Sequence, residues 1–454
     1  MAFATGTRPG EAAAPPAPSA PGTPGPAVRP PVPPASAPPA PASSPASPGG
    51  LVLRPVAGPG RPGSFRLQQL VLLQLAAALL LVARAVDPLL LAPAGVVAGA
   101  LVLLAVARRR RRALPEWLAT ALAFRARTRR AATAAVPAGT DPGLAPVVEC
   151  SPALRTYSFG DDAGDSARER RPVGLIGDET FLTAVVHVEA DHGALRRALP
   201  LPVGLVHEAL DADGIRLESA QIVQHTRPAP PASDGSVASR NYAPLHALSG
   251  TPALRLTWIA LKLDPELCPE AVAARGGGAL GARRCVVHAA DRLASRLAGA
   301  GFRAAVLTEQ EVTAALATSA GADARALAEP VRGRARAPRT RETARTWRCD
   351  DSLHTTYAVD RWPRLDGGAA PGPLARLSAP SAAATTFSLT LSGGDGREAV
   401  VAGHVRVTVR EEAGLRAARR ELERAAREVR AGLVRLDREQ VPGMLATLPL
   451  GGAR

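Results

Sequence analysis

The chain has 454 residues, a formal net charge of +15, 46% hydrophobic residues and only 3% aromatic ones. Its Arg-, Ala-, Pro- and Gly-rich usage, in which Lys262 is the single lysine, points to a GC-rich coding genome rather than to nucleic-acid affinity. The four cysteines, Cys150, Cys268, Cys285 and Cys349, are scattered without a C-x-x-C pair, which excludes a disulfide-stapled scaffold and reads as reduced thiols.

Residues 1–66 are dense in proline, with runs such as Pro30-Pro31-Val32-Pro33-Pro34, and hold too few apolar residues to build a core. A disordered or polyproline cytoplasmic tail is expected there. Leu67 to Ala107 follows as two apolar segments, 67–86 and 89–107, separated by a short turn carrying Arg84 and Asp87. At about 1.5 Å per helical residue, each segment is long enough to cross a hydrocarbon core of roughly 30 Å. The reading is a transmembrane hairpin. Arg54, Arg61 and Arg66 precede it, and Arg108, Arg109, Arg110, Arg111 and Arg112 follow it. The positive-inside rule then places both termini in the cytoplasm of a multi-pass inner-membrane protein surrounded by membrane lipids. Gly95 and Gly99 form a small-xxx-small face expected to allow close approach to Ala76, Ala77 or a helix of another protein.

Leu114 to Ala131 has helical spacing around Trp117, Leu118, Leu122 and Phe124 and ends in arginines. A basic juxtamembrane helix is expected over 108–131, lying along the membrane surface or continuing as a stalk. Residues 132–146 read as a linker.

From Val147 to the end the pattern is that of an α/β domain with a mixed sheet. Strand-length apolar runs lie at Val147-Val148, Val173 to Ile176, Phe181 to Val188, Ile215 to Val223, Leu254 to Leu263, Phe302 to Leu307, Thr355 to Val359, Phe387 to Leu391 and Val400 to Val409. Helices are expected over Arg283 to Ala300, from an N-cap at Thr308 to about Ser319, and over Gly414 to Val434. Residues 320–344, rich in Ala and Arg without periodicity, read as a disordered insertion. Its arginines and those following, from Arg332 to Arg348, lack interleaved aromatics, so a solvated loop is preferred over a nucleic-acid site.

Chemistry-bearing patterns are sparse. The eight histidines fall in no H-E-x-x-H arrangement and near no cysteine pair, so no metal or cofactor is expected. Arg275-Gly276-Gly277-Gly278 precedes a helix but lacks the lysine and hydroxyl of a phosphate loop. Asp211-Ala212-Asp213-Gly214 admits two readings: a D-x-D pair holding a divalent ion against a nucleotide-sugar diphosphate, or ordinary turn chemistry, which is preferred. His354 to Tyr357, Trp258 and Trp362 are expected to shape the core.

The order of these features resembles the EccE family, a membrane component of type VII (ESX) secretion systems in actinobacteria. The resemblance rests on the hairpin with Arg108 to Arg112 and Trp117; on Val173-Gly174-Leu175-Ile176-Gly177-Asp178; on Thr257 to Pro265; and on the Arg275 to Gly281 turn leading into Arg283 to Leu297. It continues in His354-Thr355-Thr356-Tyr357 with Trp362-Pro363, in Thr385 to Leu389 and in Thr447-Leu448-Pro449-Leu450-Gly451. It implies a glycosyltransferase-like α/β shape without established catalysis. It also implies a hetero-oligomer with EccB, EccC and EccD homologues that exports WXG100-type proteins. The expectation is therefore a structural membrane subunit rather than an enzyme, with no catalytic, cofactor-binding or metal residues. The competing expectation is a membrane-anchored glycosyltransferase-like enzyme that binds a nucleotide sugar through Asp211 and Asp213.

Overall fold

The computed structural model describes residues 52–55, 67–106, 108–109, 112–133, 136–137, 139–160, 171–190, 200–228, 254–323, 338–363, 376–378, 382–393 and 398–452. The expected tail lies outside these residues except for Val52–Pro55, as do Arg110 and Arg111 and positions 324–337 of the expected insertion.

Runs of alternating apolar and hydroxyl-bearing side chains, many β-branched, form thirteen strands of one sheet. These are β1 (Val52–Pro55), β2 (Arg155–Phe159), β3 (Val173–Gly177), β4 (Leu182–Ala190), β5 (Ser219–Arg227), β6 (Leu254–Leu263) and β7 (Phe302–Val306). They continue as β8 (Thr340–Glu342), β9 (Trp347–Cys349), β10 (Ser352–Arg361), β11 (Ala384–Gly393), β12 (Glu398–Val409) and β13 (Gly432–Arg435). Ten helices accompany them among the described residues. They are α1 (Leu67–Val86), α2 (Leu91–Val106), α3 (Leu114–Thr133), α4 (Ala145–Cys150) and α5 (Val203–Glu208), then α6 (Pro269–Ala274), α7 (Gly278–Gly299), α8 (Glu309–Ala320), α9 (Glu412–Glu428) and α10 (Gln440–Leu445).

The sheet order is β8-β9-β10-β12-β11-β5-β6-β4-β3-β2, with β7 beside β4, β13 beside β10 and β1 beside β12. Every pairing is antiparallel except β1 with β12. This order contains a repeat. Starting from β2, five strands lead to a helix (α7), a short strand (β7) back to β4 and a second helix (α8). Starting from β8, five strands lead likewise to α9, to β13 back on β10 and to α10. The halves meet at β5 and β11, whose register pairs Ser392 with Ser219 and Thr385 with Thr226, so the topology is related by a local twofold through that pair.

The repeat explains the layering. On one face Ala184, Val186, Ile222, Ile259, Leu261, Leu389, Val405 and Val407 pack under α7 and α9 through Val286, Leu293, Leu297, Leu415 and Leu422. On the other face α8, α10 and α4 cover Val185, Val223, Trp258 and Ala260. Strand side chains alternate between faces, so α7 and α9 share one core and α8 and α10 the other.

Several sequence readings shift. Val147-Val148 lies in α4 rather than in a strand. The helix expected over Gly414 to Val434 stops at Glu428; Arg430 then takes a positive φ of 57°, and Gly432 opens β13. The expected insertion has ordered ends: Arg339 forks onto Asp350, with Nη2 2.6 Å and Nε 2.8 Å from its carboxylate oxygens, and Thr340–Glu342 forms an outer strand. The α/β class is as read, with an antiparallel sheet and a single parallel pairing.

The hairpin also departs from expectation in length. Asp87 caps a short 3-10 turn at Pro88–Leu90, with its Oδ1 accepting from Leu89 N at 2.9 Å. That turn takes the start of the second apolar segment and leaves α2 with 16 residues. α1 has 20 residues, but Gln68, Gln69, Gln74 and Arg84 interrupt its apolar run. Among the described residues no helix is long and apolar enough to cross a membrane.

Candidate functional site

The first region with functional character is the hairpin. Its contact surface is made of small side chains: Ala76 and Ala83 of α1 and Ala94, Ala98 and Ala105 of α2 are buried, Ala98 being 3% exposed. The large side chains point away from the hairpin. Leu81 is 69% and Leu89 82% exposed, with Leu75, Val82, Val86, Val96 and Leu103 also turned out. Near the turn, Leu79, Val82, Val86, Leu90, Pro93 and Val97 line an apolar groove of about 330 Å³. A surface of this kind calls for an apolar covering, either lipid or protein. A Cβ built on Gly95 or Gly99 meets nothing within 4 Å, so these glycines lie off the contact, which Ala94 and Ala98 make one position earlier. Ala76 takes part in the contact, and Ala77 is exposed.

Both flanks of the hairpin are fastened to the sheet. Before it, β1 adds parallel to β12, with Val52 opposite Glu398 and Pro55 opposite Val401, and the Arg54 guanidinium lies 2.7 Å from the Glu398 carboxylate. After it, Arg108–Arg109 and Arg112–Ala113 pair as a two-residue ladder that leads into α3. Arg127 of α3 donates to both oxygens of Glu342 on β8, Nε at 3.1 Å and Nη2 at 3.2 Å, and to the carbonyl of Arg438 at 2.6 Å. Glu342 also accepts from Val441 N of α10 at 3.0 Å, and the Arg438 guanidinium sits 4.7 Å above the Trp117 ring. A fork with partly buried partners and a second acceptor is worth more than a surface ion pair.

The second region is the sheet face under α8 and α10, which carries an unusual density of buried polar groups. One rung of adjacent strands reads His225, Thr386, Arg406, Thr356. Arg406 is fully buried; its Nη2 donates to Ser319 O, to Ser319 Oγ at 3.1 Å and to Thr386 Oγ1 at 3.5 Å. Ser319 lies in the last turn of α8, so the negative end of that helix takes the place of a carboxylate as the guanidinium's partner. Burial lowers its pKa to about 9, which leaves it charged at neutral pH. His225 Nδ1 lies 2.9 Å from Thr386 Oγ1, and His354 Nδ1 lies 2.9 Å from Thr408 Oγ1. Burial, reinforced by the Arg406 charge, lowers the pKa of His225 to about 3 and that of His354 well below its usual value, so both rings are neutral. His354 also packs on Trp347, with ring centroids 4.8 Å apart.

Across this face runs the C-terminal segment that carries Thr447-Leu448-Pro449-Leu450-Gly451. Gln221 binds it on both sides: Nε2 donates to Ser388 Oγ and Ala446 O at 2.8 Å, and Oε1 accepts from Leu450 N at 3.1 Å and Gly451 N at 2.8 Å. Thr183 and Ser219 donate to the carbonyls of Leu450 and Gly451 at 3.1 and 2.6 Å. Gly451 has φ 94°, and a Cβ there would lie 2.4 Å from Lys262 Cβ, so only glycine fits. Lys262 itself is buried, with Nζ 3.1 Å from Glu218 and 4.4 Å from the Phe181 ring centroid.

The remaining candidates are occupied by structural contacts. Asp213 and Gly214 both have positive φ, 55° and 74°, the geometry of a tight hairpin turn between Asp211–Ala212 and Ile215–Arg216. The Asp213 carboxylate is held by Arg292 and by His288 Nε2 at 3.0 Å, which lowers its pKa to about 2, and Asp211 faces Arg216 at 3.6 Å. Both aspartates thus face cationic side chains, in the arrangement of a turn. Arg275 donates to the carbonyls of Ala271 and Asp213 at 3.2 and 3.4 Å, and the glycines after it take positive φ as the turn between α6 and α7. Burial raises the Cys150 pKa to about 12 and pushes Cys349 up further, which leaves both as neutral thiols. Among the described residues no three His, Cys, Asp or Glu side chains converge as a metal site. Trp258, His354 and Tyr357 are core residues as read, and Trp362 is half-buried.

The protein-family model of the type VII ESX secretion system translocon component EccE matches residues 251–359. Those residues are similar to that family. The match runs from just before β6 through α7, β7 and α8 to Val359 near the end of β10, about a quarter of the chain. The matched segment therefore spans the end of the first repeat and the start of the second, and it includes His354, Trp347 and Glu342 described above. Over that quarter the chain is similar to a type VII secretion component. No curated protein matches the chain.

Sequence reading missed Arg127, Glu342, Gln221 and Arg406. A lone Gln or Arg inside an apolar strand run was the available signal for the last two. The first two pair across 215 positions, which no local pattern reveals.

Proposed function

We propose that the chain is a structural membrane subunit of a type VII secretion complex. It supports export of WXG100-type proteins through contacts with EccB, EccC and EccD homologues rather than through catalysis. The observation that carries this reading is the hairpin's arrangement: large apolar side chains outward, with β1 before it and α3 after it attached to the same sheet domain. A hairpin fastened at both ends to one body extends its turn away from that body. With the arginine-rich flanks inside, the domain lies on the cytoplasmic face and the Arg84–Pro88 turn on the other.

Length sets the terms of insertion. The 3-10 turn and α2 together supply 3 and 16 residues, about 30 Å of rise when taken end to end. Arg84 lies at the turn end of α1, where it can reach the interface. Partner helices or local bilayer thinning would accommodate the shorter leg. Gly95 and Gly99, open on the outer side of α2, are available to such a helix. The chemistry-bearing side chains favour scaffolding over catalysis. His225 and His354 are buried and neutral, and Asp213 is engaged by Arg292 and His288.

The test is purification of the tagged full chain from detergent-solubilised membranes of the native cell. Co-elution with EccB, EccC and EccD homologues in one large particle is expected. Recovery of the chain alone from cells that are secreting WXG100-type proteins would overturn the reading.

A further inference from the structure

Among the described residues, α3 is pinned to the domain through one side. Trp117 and Arg127 face the domain through Arg438 and Glu342, and Phe124 is half-buried with them. This fixes what points away: Leu118 is 42% and Leu122 62% exposed, and Arg125, Arg129 and Arg130 are exposed beyond them. Leu118, Leu122, Arg125 and Arg129 follow helical spacing and form one stripe. The apolar end of the stripe lies toward the hairpin, since α3 starts at Leu114 shortly after α2 ends at Val106. From Leu118 to Thr133 the sequence has four arginines and no acidic residue, and among the described residues Arg127 is the one of them paired with a carboxylate of the sheet domain.

We propose that the outward face of α3, Leu118, Leu122, Arg125, Arg129 and Arg130, binds the anionic phospholipid surface next to the hairpin. The proposal rests on the hairpin lying in a bilayer and names a second, charge-selective contact with it. The two leucines enter the interfacial layer, and the guanidinium groups pair with lipid phosphates, for which their planar fork is suited. The continuity of this face with the apolar hairpin and its uniform positive charge argue for lipid over an acidic protein. The sheet domain is then held against the membrane by a helix clamped between the two.

The experiment uses the full chain carrying Leu122→Cys, reconstituted in nanodiscs of phosphatidylcholine alone or of phosphatidylcholine with phosphatidylglycerol, with the unsubstituted chain as the blank for its own cysteines. Co-elution with both disc types reports on the hairpin alone; failure to co-elute removes the anchor reading and this proposal with it. Given co-elution, maleimide labelling of Leu122→Cys is expected to be about tenfold slower in the anionic discs. The protection is expected to disappear at about 1 M salt, where the screening length falls to roughly 3 Å. It should also disappear when Arg125→Gln, Arg129→Gln and Arg130→Gln are combined. Equal labelling in the two disc types, or protection that arises only when other secretion subunits are added, would overturn the proposal while leaving the anchor reading in place.

Discussion

The hairpin and the sheet domain use opposite rules for what goes inside. In the hairpin alanines make the contact and leucines and valines face out; in the domain Leu316, Leu293 and Val407 are fully buried. An apolar surrounding for the hairpin, as proposed above, accounts for the difference. Water drives large apolar groups together in the domain, whereas an apolar surrounding removes that drive and leaves close packing of small residues. The domain adds a further contrast between its own faces, one almost wholly apolar under α7 and α9, the other threaded with buried hydroxyl, amide, imidazole and guanidinium groups.

The largest expected effect separates the domain from the hairpin by pH. His225 and His404 have pKa values lowered by burial to about 3 and about 4, and His354 is lowered as well. The unfolded chain therefore binds more protons than the folded one below about pH 6.5. Stability is fully present above that pH and is lost as pH falls toward 4, by several kcal/mol in sum. Urea midpoints followed by tryptophan fluorescence should drop steeply between pH 7 and pH 4.5, and His225→Asn with His404→Asn should flatten the slope.

Next comes the strap across the polar face. Gln221→Leu strands two backbone N–H groups and a carbonyl and is expected to cost about 3–5 kcal/mol. Denaturant unfolding of the full chain measures it. Slightly smaller, Leu316→Ala should cost about 2–5 kcal/mol by opening a cavity, while Leu81→Ala should stay within about 0.5 kcal/mol in the same assay. Equal costs for the two would abolish the contrast between regions. In the hairpin the sensitive change is the reverse one: Ala98→Leu overfills an alanine contact, at about 1–3 kcal/mol, read as faster proteolysis between α1 and α2 in detergent. Arg127→Ala follows at about 1 kcal/mol on the domain, with α3 becoming more accessible to hydrogen exchange.

Much of this was legible in the residues. β6 begins and ends where its apolar run does, and Thr308 with Glu311 forms the capping box that opens α8. The two-segment hairpin was visible from its lack of charge, although the Asp87-capped turn that shortens α2 was not. The repeat escaped notice because its halves share strand order rather than sequence: Val185 in β4 and Thr356 in β10 face the same side with unlike chemistry. β13 was hidden inside a helical pattern, since Gly432 and the positive φ of Arg430 break the helix where charge periodicity continues. The fastening of the hairpin by Arg54 to Glu398 and Arg127 to Glu342 spans hundreds of positions and has no local signature.

The central claim, an apolar hairpin whose two flanks share the domain's side of the membrane, is tested most directly by impermeant-maleimide labelling of intact cells. Single substitutions Leu89→Cys at the turn, Arg54→Cys before the hairpin and Arg130→Cys after it are compared with the unsubstituted chain. Labelling of Leu89→Cys from outside, with Arg54→Cys and Arg130→Cys reached only after permeabilisation, is the expected result. Labelling of either flank in intact cells would contradict the account.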